Sequence, residues 1–190
     1  YKLEGFGSKV IHFKEAFHGR SGYTMSLTNT DDPRKYAYFP KFDWPRILNP
    51  KVRFPMTDEV LEEVKRNEMI AIAQIETAVK QYPGDIAALI IEPIQSEGGD
   101  NYFRPEFLQK LQELAHEHEF LFIVDEIQTG MGVTGKMWAS EHFGVQPDII
   151  TTAKGIASGM PLGGIIARAE IMDAWVPGAH ASTYGGNPVS

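Results

Sequence analysis

The chain has 190 residues, of which 43% are hydrophobic and 23% are charged, and its formal net charge is −7. This composition is typical of a globular protein, and the acidic balance, without a run of lysines or arginines, argues against a nucleic-acid-binding surface. No apolar run approaches the length of a membrane span, so we do not expect the protein to bind a membrane. Because of the acidic charge we also expect no nucleic acid as partner. With no cysteine the chain forms no disulfide and uses no catalytic thiol, which fits the reducing cytoplasm, where we expect the protein.

The first part of the chain combines a short predicted strand with a long proline-rich loop. The apolar run 10–13 predicts the strand, a turn with two glycines follows it, and residues 23–29 predict a weak helix. Residues 31–55 contain five prolines among many aromatic residues. Because proline fixes φ and lacks a backbone donor, we expect a long ordered loop there without regular structure.

The middle of the chain alternates predicted helices and strands. Apolar residues recur at helical spacing over 57–81, with acids in the first turns, and a break near Asn67 is left open. Residues 86–91 form a continuous apolar run, as expected of a strand covered on both faces, and the run ends in Glu92. A polar loop follows, and Pro105 suits the first turn of a second amphipathic helix.

Two further predicted strands end in residues that can carry chemistry. The apolar run 120–124 ends in Asp125, the run 149–152 leads into Lys154, and a short helical segment lies between them. Strand, helix and strand in about 30 residues is the size of a βαβ unit, whose strands end at the same edge of a sheet. The sequence therefore predicts an α/β fold, a predominantly parallel sheet with helices on both faces. Beyond Lys154 we predict a strand over 165–167 and a short helix over 169–175.

A carboxylate and an amine at one sheet edge suit the cofactor pyridoxal phosphate. It needs a lysine for its Schiff base and an acid that keeps its pyridine nitrogen protonated. Asp125 and Lys154 are therefore the candidate catalytic residues. Either residue alone is more often a strand-ending acid or a solvated lysine, whereas the pair at matching strand ends is a more specific pattern.

Three other kinds of site have less support in the sequence. Residues 130–135 match G-x-G-x-x-G, but they do not follow the strand directly and the next strand does not end in an acid, so a connecting loop is favoured over a dinucleotide site. The six histidines show no metal-ligand spacing, and we expect no metal. The sequence contains no G-x-S-x-G elbow, which argues against a serine hydrolase.

Five stretches, in order along nearly the whole chain, resemble the class III pyridoxal-phosphate-dependent aminotransferases, a fold type I family. Within that family, residues 16–30 and 39–46 look most like lysine 6-aminotransferases. Residues 154–188 look more like 4-aminobutyrate and related ω-aminotransferases. The five stretches are Phe17-His18-Gly19-Arg20, Glu92-Pro93-Ile94-Gln95-Ser96-Glu97-Gly98, Asp125-Glu126-Ile127-Gln128-Thr129-Gly130, Thr152-Ala153-Lys154-Gly155 and Ser182-Thr183-Tyr184-Gly185-Gly186-Asn187-Pro188.

The resemblance implies a role for each candidate residue. Lys154 would form the Schiff base and then move a proton between substrate and cofactor, while Asp125 would pair with the pyridinium nitrogen. Glu97 would be a substrate switch that pairs with an arginine late in the chain. The other implied cofactor-binding residues are Phe17 and Ile127 on the two ring faces, Gln128 at the phenolic oxygen, His18 and Glu92 in the pocket, and Thr183 at the phosphate, commonly that of the neighbouring subunit.

The resemblance also implies how the chain relates to a whole enzyme. We expect residues 1–190 to be part of the cofactor-binding large domain of a longer homodimeric protein, with the phosphate loop before Tyr1 and the small domain after Ser190. The implied reaction is ping-pong transfer of an ω-amino group to 2-oxoglutarate, from lysine first and from 4-aminobutyrate or ornithine next. A racemase or aminomutase on the same scaffold, and a non-catalytic module that binds the cofactor or a partner, remain open, with a dehydrogenase the most distant alternative.

Overall fold

The computed structural model describes residues 7–181 and, beyond them, Thr183, Gly185, Gly186 and Pro188. Helices and strands alternate along this part of the chain, as the apolar patterns predict. Two 3-10 helices, Pro33–Lys35 and Lys154–Ala157, supplement them. In chain order the elements are β1 Lys9–Phe13, α1 Gly22–Leu27, β2 Arg46–Ile47, α2 Asp58–Gln81, β3 Ile86–Ile91, β4 Ile94–Gln95, β5 Asn101–Tyr102, α3 Pro105–Glu117, β6 Leu121–Asp125, α4 Ser140–Phe143, β7 Ile149–Thr152, β8 Gly164–Ala167 and α5 Ala169–Met172.

Six of the strands form one sheet in the order β2-β1-β3-β6-β7-β8. The first five are parallel, and β8 runs antiparallel to β7. This mostly parallel sheet with its helices confirms the predicted fold class. The register brings Ile91 beside Val124 and Asp125 beside Thr151, so the residues that follow β3, β6 and β7 emerge at one edge of the sheet.

An apolar core fills the space between the sheet and the two long helices. Alternate strand residues point into it, because side chains along a strand alternate between the two faces. Helices α2 and α3 contribute apolar stripes at helical spacing, and full burial of one such large side chain stabilises the fold by roughly 1.5–3 kcal/mol. The core includes Ile11, Phe13, Leu89, Ile91, Phe122 and Val124 from the strands and Ala71, Ile75, Phe107, Leu108, Leu111 and Leu114 from the helices.

Both long helices begin where the sequence predicts. Thr57 caps α2, since its Oγ1 accepts the amide N–H of Val60 at 3.3 Å. Pro105 occupies the first turn of α3, where its missing N–H has no partner to lose. The break considered near Asn67 is wrong, because α2 runs unbroken over Asp58–Gln81 and its buried face continues on both sides of that position. Of the helices in the described part of the chain, none is long and apolar enough to cross a membrane.

Two segments predicted as loops contain short regular elements. The proline-rich segment 31–55 is mostly irregular, but it includes a 3-10 helix and supplies β2, which pairs with β1 between Phe13 and Ile47. The polar loop after Glu92 likewise forms an antiparallel pair, β4 with β5. Strands of two residues are too short to produce a recognisable alternation of apolar and polar positions, so the sequence carries no signal for them.

Candidate functional site

A cavity of about 200 Å3 lies at the edge of the sheet where β3, β6 and β7 end. Its walls come from these strand ends and from the segment that follows β1. In open α/β folds this carboxyl edge of the parallel strands is where ligands bind. Every residue of this lining except Gly19 is among the site residues predicted from the sequence. The lining residues are Phe17, His18, Gly19, Glu92, Asp125, Ile127, Gln128 and Lys154.

Asp125 is the last residue of β6, and its carboxylate is buried. Oδ1 accepts the amide N–H of Ile127 at 3.1 Å, and Oδ2 lies 2.8 Å from Nδ1 of His18. A buried carboxylate needs such donors to replace the water that it loses on folding. Each oxygen can accept a second hydrogen bond, so Asp125 is held in place and still has acceptor capacity for a ligand.

The imidazole of His18 is buried against Asp125, and its backbone is fixed as well. The amide N–H of His18 donates to Oγ1 of Thr28 at 3.1 Å, and that hydroxyl donates to the carbonyl of Gly19 at 2.7 Å. Burial alone lowers the pKa of His18, but the hydrogen bond and charge of Asp125, with the charge of Glu92, outweigh it and raise that pKa above its ordinary value. His18 is therefore suited to holding a negative Asp125 by charge as well as by hydrogen bonding.

Glu92 follows β3 and is buried beside the segment that follows β1. Its Oε1 accepts the amide N–H of Phe17 at 2.8 Å, which fixes the backbone that carries the Phe17 ring at the cavity. Burial raises the pKa of Glu92 to about 7, although the charge of His18 and the bond from Phe17 oppose the shift. Near neutral pH, Glu92 therefore exchanges between a neutral and a charged form in the cavity wall.

Lys154 begins the 3-10 helix Lys154–Ala157, which follows β7 closely. Its φ is 45°, a left-handed conformation that residues other than glycine adopt rarely and that is often found at functional positions. The residue is exposed and lines the cavity. An amine and a buried carboxylate thus share one cavity, at the two strand ends from which the sequence predicted them.

Glu126, next to Asp125, has a structural role that the sequence does not reveal. Its buried carboxylate accepts the amide N–H groups of Ala139 and Ser140, at 3.0 and 2.7 Å, and the hydroxyl of Thr129. These bonds close the loop between β6 and α4, through which the chain leaves the cavity. In sequence the two adjacent acids look equivalent, and only the fold assigns one to the cavity and the other to the loop.

The contacts that hold His18 are likewise missing from the sequence prediction. His18 and Asp125 lie 107 positions apart, and His18 and Thr28 lie 10 apart. No local periodicity reports contacts of such separation. Residues that follow parallel strands meet at one edge of the sheet. The contact between His18 and Asp125 could have been predicted from this, if the segment after β1 had been assigned to the same edge as Asp125.

Two of the predicted site residues lie outside the cavity lining. Glu97 is on the loop between β4 and β5, where its carboxylate pairs with the Nζ ammonium of Lys35. Thr183 is exposed in a turn near the end of the described residues. The neighbouring Ser182, Tyr184 and Asn187 of the predicted polar turn lie outside the described residues, so the roles assigned to this turn and to Glu97 stay predictions.

The glycine-rich loop 130–135 is a run of turns between β6 and α4. Gly132 and Gly135 have positive φ values of 86° and 92°, which glycine adopts without steric cost. The loop neither follows the strand directly nor opens a long helix, which agrees with its interpretation as a connection. Among the residues that the structure describes, no group of three or more His, Asp or Glu side chains is arranged to hold a metal ion.

Comparison with known proteins gives a consistent set of relatives. The family model described as aminotransferase class-III matches residues 2–190. The L-lysine-epsilon aminotransferase of Amycolatopsis lactamdurans is 46% identical over 180 residues, which are 94% of this chain and 40% of the relative. The 4-aminobutyrate aminotransferase of Escherichia coli (strain K12) is 40% identical over 185 residues, 96% of this chain and 41% of the relative.

Solved structures agree with the sequence comparison. The lysine aminotransferase from M. tuberculosis, in its internal aldimine form, has a TM-score of 0.86 and 44% sequence identity to this chain, covering 96% of it and 41% of that structure. The chain thus spans about two-fifths of the length of the relatives that it matches. Because the family model extends over nearly every residue, the chain belongs to the class III aminotransferases, a family of pyridoxal-phosphate-dependent enzymes.

Proposed function

We propose that the full-length protein is an aminotransferase that moves an ω-amino group, with the lysine ε-amino group as the first candidate, to 2-oxoglutarate in a ping-pong reaction. The observation that carries the proposal is the cavity that Lys154 and Asp125 both line. An amine and a buried acid are the two groups that pyridoxal phosphate requires of its protein. The identity of 46% to a lysine-epsilon aminotransferase, against 40% to a 4-aminobutyrate aminotransferase, supports lysine as the first donor to test.

The cavity residues fit this cofactor chemically. Asp125 is buried, held by two donors, and able to accept one more hydrogen bond from a ring nitrogen. Phe17 and Ile127 offer apolar surfaces suited to the two faces of a planar ring, and the Gln128 amide offers a donor to its phenolic oxygen. The donor set therefore matches a pyridine ring that carries an aldehyde and a hydroxyl group.

Four residues of this chain would act on the bound cofactor or hold the groups around it. When bound, pyridoxal phosphate supplies an electron sink that stabilises negative charge on a substrate carbon. The Nζ amine of Lys154 would bind the aldehyde carbon and, once released, carry a proton to and from the substrate carbon. Asp125 would keep the ring nitrogen protonated, and His18 would keep Asp125 in position. Glu92 would hold the backbone of Phe17 and so the ring that packs on the cofactor.

We further propose that residues 1–190 are part of the cofactor-binding large domain of a homodimer. The coverage of about two-fifths of each relative supports the view that other segments complete the enzyme. In this proposal Thr183 contributes to the phosphate site, commonly that of the neighbouring subunit, and Glu97 is the substrate switch. The cytoplasmic location expected from the sequence stays a prediction.

The first test is the absorbance spectrum of the full-length protein after addition of pyridoxal phosphate. A band at about 400–430 nm is expected for a lysine–cofactor pair. It should be lost in Lys154→Ala and kept in Lys136→Ala, a matched variant of an exposed lysine whose Nζ contacts the carbonyl of Glu141. A folded wild-type protein without the band, or a Lys154→Ala protein that keeps it, would contradict the proposal.

The second test identifies the reaction and the donor. Formation of glutamate from 2-oxoglutarate is measured with lysine, 4-aminobutyrate or ornithine as the amino donor. Net glutamate formation indicates transfer, because racemisation and migration of an amino group leave 2-oxoglutarate unchanged. We expect the highest kcat/KM with lysine, and a higher value with 4-aminobutyrate or ornithine would correct the donor while keeping the family reaction.

A further inference from the structure

Two residues beside the cavity, Met131 and Lys154, have left-handed backbones although neither is glycine. Their φ values are 65° and 45°, and residues with a Cβ adopt this conformation rarely. The two segments that carry them touch at Gly155. A Cβ built on Gly155 would lie 3.0 Å from Cβ of Met131 and 3.3 Å from its Cγ, closer than ordinary contact. The backbone after Lys154 therefore rests directly on the Met131 side chain.

Limited space, and not backbone conformation, disfavours a side chain at position 155. Gly155 is not among the glycines with positive φ, so an L residue could adopt its backbone. The nearest atom of Met131 is its Cβ, which moves only with the backbone, so a change of rotamer does not relieve the contact. A side chain at position 155 must therefore displace one of the two loops by a few tenths of an ångström.

Met131 itself is fixed relative to Asp125. The amide N–H of Gly130 donates to the carbonyl of Glu126 at 2.8 Å, and the amide N–H of Gly132 donates to the carbonyl of Met137 at 3.2 Å. The turn that presents Met131 is thus tied on one side to the residue after Asp125. A contact between Met131 and Gly155 transmits that fixed position to the neighbouring Lys154.

We infer that Met131 and Gly155 are positioning residues for Lys154. Their close packing holds the turn at Lys154 in its left-handed conformation and directs the amine into the cavity that Asp125 lines. The inference rests on the function proposed above, in which the Lys154 amine is the reacting group. Neither Met131 nor Gly155 is among the residues that line the cavity, and both would act through the direction of the Lys154 side chain.

The test is a double-mutant cycle in the full-length protein, with Gly155→Ala, Met131→Gly and the combination of both. Gly155→Ala drives the loops apart, and Met131→Gly removes the support. In the double variant the new Cβ of residue 155 fills the space that the Met131 Cβ leaves. Gly164→Ala is the matched control, because a Cβ there would meet only Cγ2 of Thr152 at an ordinary 3.9 Å.

Two rates are measured for each protein. The first is the rate at which the absorbance band appears on mixing with pyridoxal phosphate, when Nζ adds to the aldehyde carbon and water leaves. The second needs no cofactor: it is the rate at which trinitrobenzenesulfonate modifies Lys154 in the cofactor-free protein, followed by peptide mass spectrometry. This second rate keeps the inference testable even if the band never forms, which would count against the proposed function alone.

A misdirected amine should be captured more slowly by the cofactor and reached more easily by a reagent in solution. We expect each single variant to slow band formation and speed modification by about fivefold, since small displacements of a reacting group have large effects. Both rates of the double variant should return to within about twofold of the wild-type rates. The two rates of Gly164→Ala should also lie within about twofold of wild type. Wild-type rates in both single variants, or a double variant whose effect is the product of the two, would overturn the inference.

If one of the variants does not fold, the positioning role can still be tested with the other. Met131→Gly only deletes atoms and gives a left-handed position to glycine, so it should fold even if Gly155→Ala does not. Circular dichroism and the melting temperature of each protein establish which variants are folded. If Gly155→Ala is unfolded, a wild-type pair of rates in folded Met131→Gly is sufficient to reject a positioning role.

Discussion

Nδ1 of His18 lies 2.8 Å from Oδ2 of Asp125, and this buried pair joins the segment after β1 to the end of β6. The bond uses one acceptor position of the carboxylate, and the amide N–H of Ile127 uses another. The pair therefore sets the direction of the carboxylate without exhausting its capacity to accept a hydrogen bond from a bound ring. His18 lines the cavity, so its predicted contact with the cofactor stays a prediction, and its bond to Asp125 adds a second way in which it can act.

Replacement of His18 by phenylalanine should weaken binding of pyridoxal phosphate by about 10- to 100-fold, because a charge-assisted hydrogen bond to a buried carboxylate contributes roughly 1.5–3 kcal/mol. Phenylalanine fills much of the same space but donates no hydrogen bond. The dissociation constant is measured by titrating the cofactor-free full-length protein and following absorbance.

His18→Asn is the matched control, since the asparagine amide places a donor close to the position of Nδ1 but cannot become charged. We expect it to bind the cofactor within a factor of about three of wild type. If phenylalanine and asparagine weaken binding equally, the charge of the imidazolium and not its hydrogen bond is the important feature. If neither weakens binding, His18 does not position Asp125.

Much of the site could be predicted because a simple rule places it. Glu92, Asp125 and Lys154 each follow an apolar run, and parallel strands deliver the residues after such runs to one sheet edge. The rule does not say which of two adjacent acids enters the cavity. Glu126 is instead bound by the amides of Ala139 and Ser140, a choice made by the loop between β6 and α4. Local patterns carry no information about such distant partners.

The direction of β8 and the presence of β2 could not be predicted, because both depend on pairing with a neighbouring strand. The direction of β8 is antiparallel, and the apolar run at 165–167 looks the same for either direction. The short strand β2 forms because Arg46–Ile47 lies beside β1, where its backbone groups find partners. Pairing with a neighbour, and not an intrinsic preference of two residues, decides that element.

Glu92 should make the stability of the protein depend on pH near neutrality. Its pKa is raised from 4.5 to about 7 by burial, so the folded state holds the proton more tightly than the unfolded state does. The stabilisation from Glu92 is complete below pH 4.5 and is lost as the pH rises through 7. In this window the loss has a slope of at most about 1.4 kcal/mol per pH unit.

Glu92→Gln should remove this dependence, because glutamine cannot ionise and still offers an acceptor to the amide of Phe17. Urea denaturation of the cofactor-free protein at several pH values gives the free energy of unfolding. The difference between variant and wild type should increase in favour of the variant from pH 4.5 to 7. Measuring the pair again in a His18→Asn background removes the titration of the neighbouring imidazole. A difference that does not change with pH would show that Glu92 keeps its ordinary pKa.

His12 should make the protein less stable as the pH falls, which is the opposite of the pH dependence expected for Glu92. The residue is fully buried in β1, its Nδ1 lies 3.2 Å from the carbonyl of Val10, and its Nε2 accepts Nε–H of Arg46 at 3.1 Å. Burial, with the charge of Arg46, lowers the pKa of His12 from 6.5 to about 3 against the effect of the Val10 carbonyl. The folded state therefore keeps His12 neutral where the unfolded state binds a proton.

The stabilisation from His12 is present above pH 6.5 and is lost as the pH falls towards 3. His12→Gln cannot be protonated and keeps an acceptor for Arg46, so its stability should fall less steeply than that of wild type in this window. The free energy of unfolding of both proteins is compared from pH 4 to 7, and the difference between them cancels the opposing contribution of Glu92. Parallel curves for the two proteins would mean that His12 titrates normally in the folded state.

Lys35 and Glu97 form an ion pair between the proline-rich segment and the loop that joins β4 to β5. About a third of each side chain is exposed, so the pair should contribute no more than about 1 kcal/mol to stability. In the proposed function, Glu97 competes with a substrate carboxylate for an arginine late in the chain. In that proposal, the pairing of Lys35 with Glu97 would leave the arginine free to bind a dicarboxylic 2-oxo acid.

Lys35→Gln should therefore raise the KM for 2-oxoglutarate by about three- to fivefold, which corresponds to roughly 1 kcal/mol, and leave the KM for the amino donor nearly unchanged. Lys41→Gln is the matched control, because Lys41 belongs to the same loop but contacts the ring of Tyr36, 4.4 Å from its centroid. The effect should shrink at high ionic strength, since salt screens a partly exposed pair. An unchanged KM for 2-oxoglutarate at low salt would leave Lys35 as a surface residue that steadies the proline-rich loop and has no influence on the acceptor.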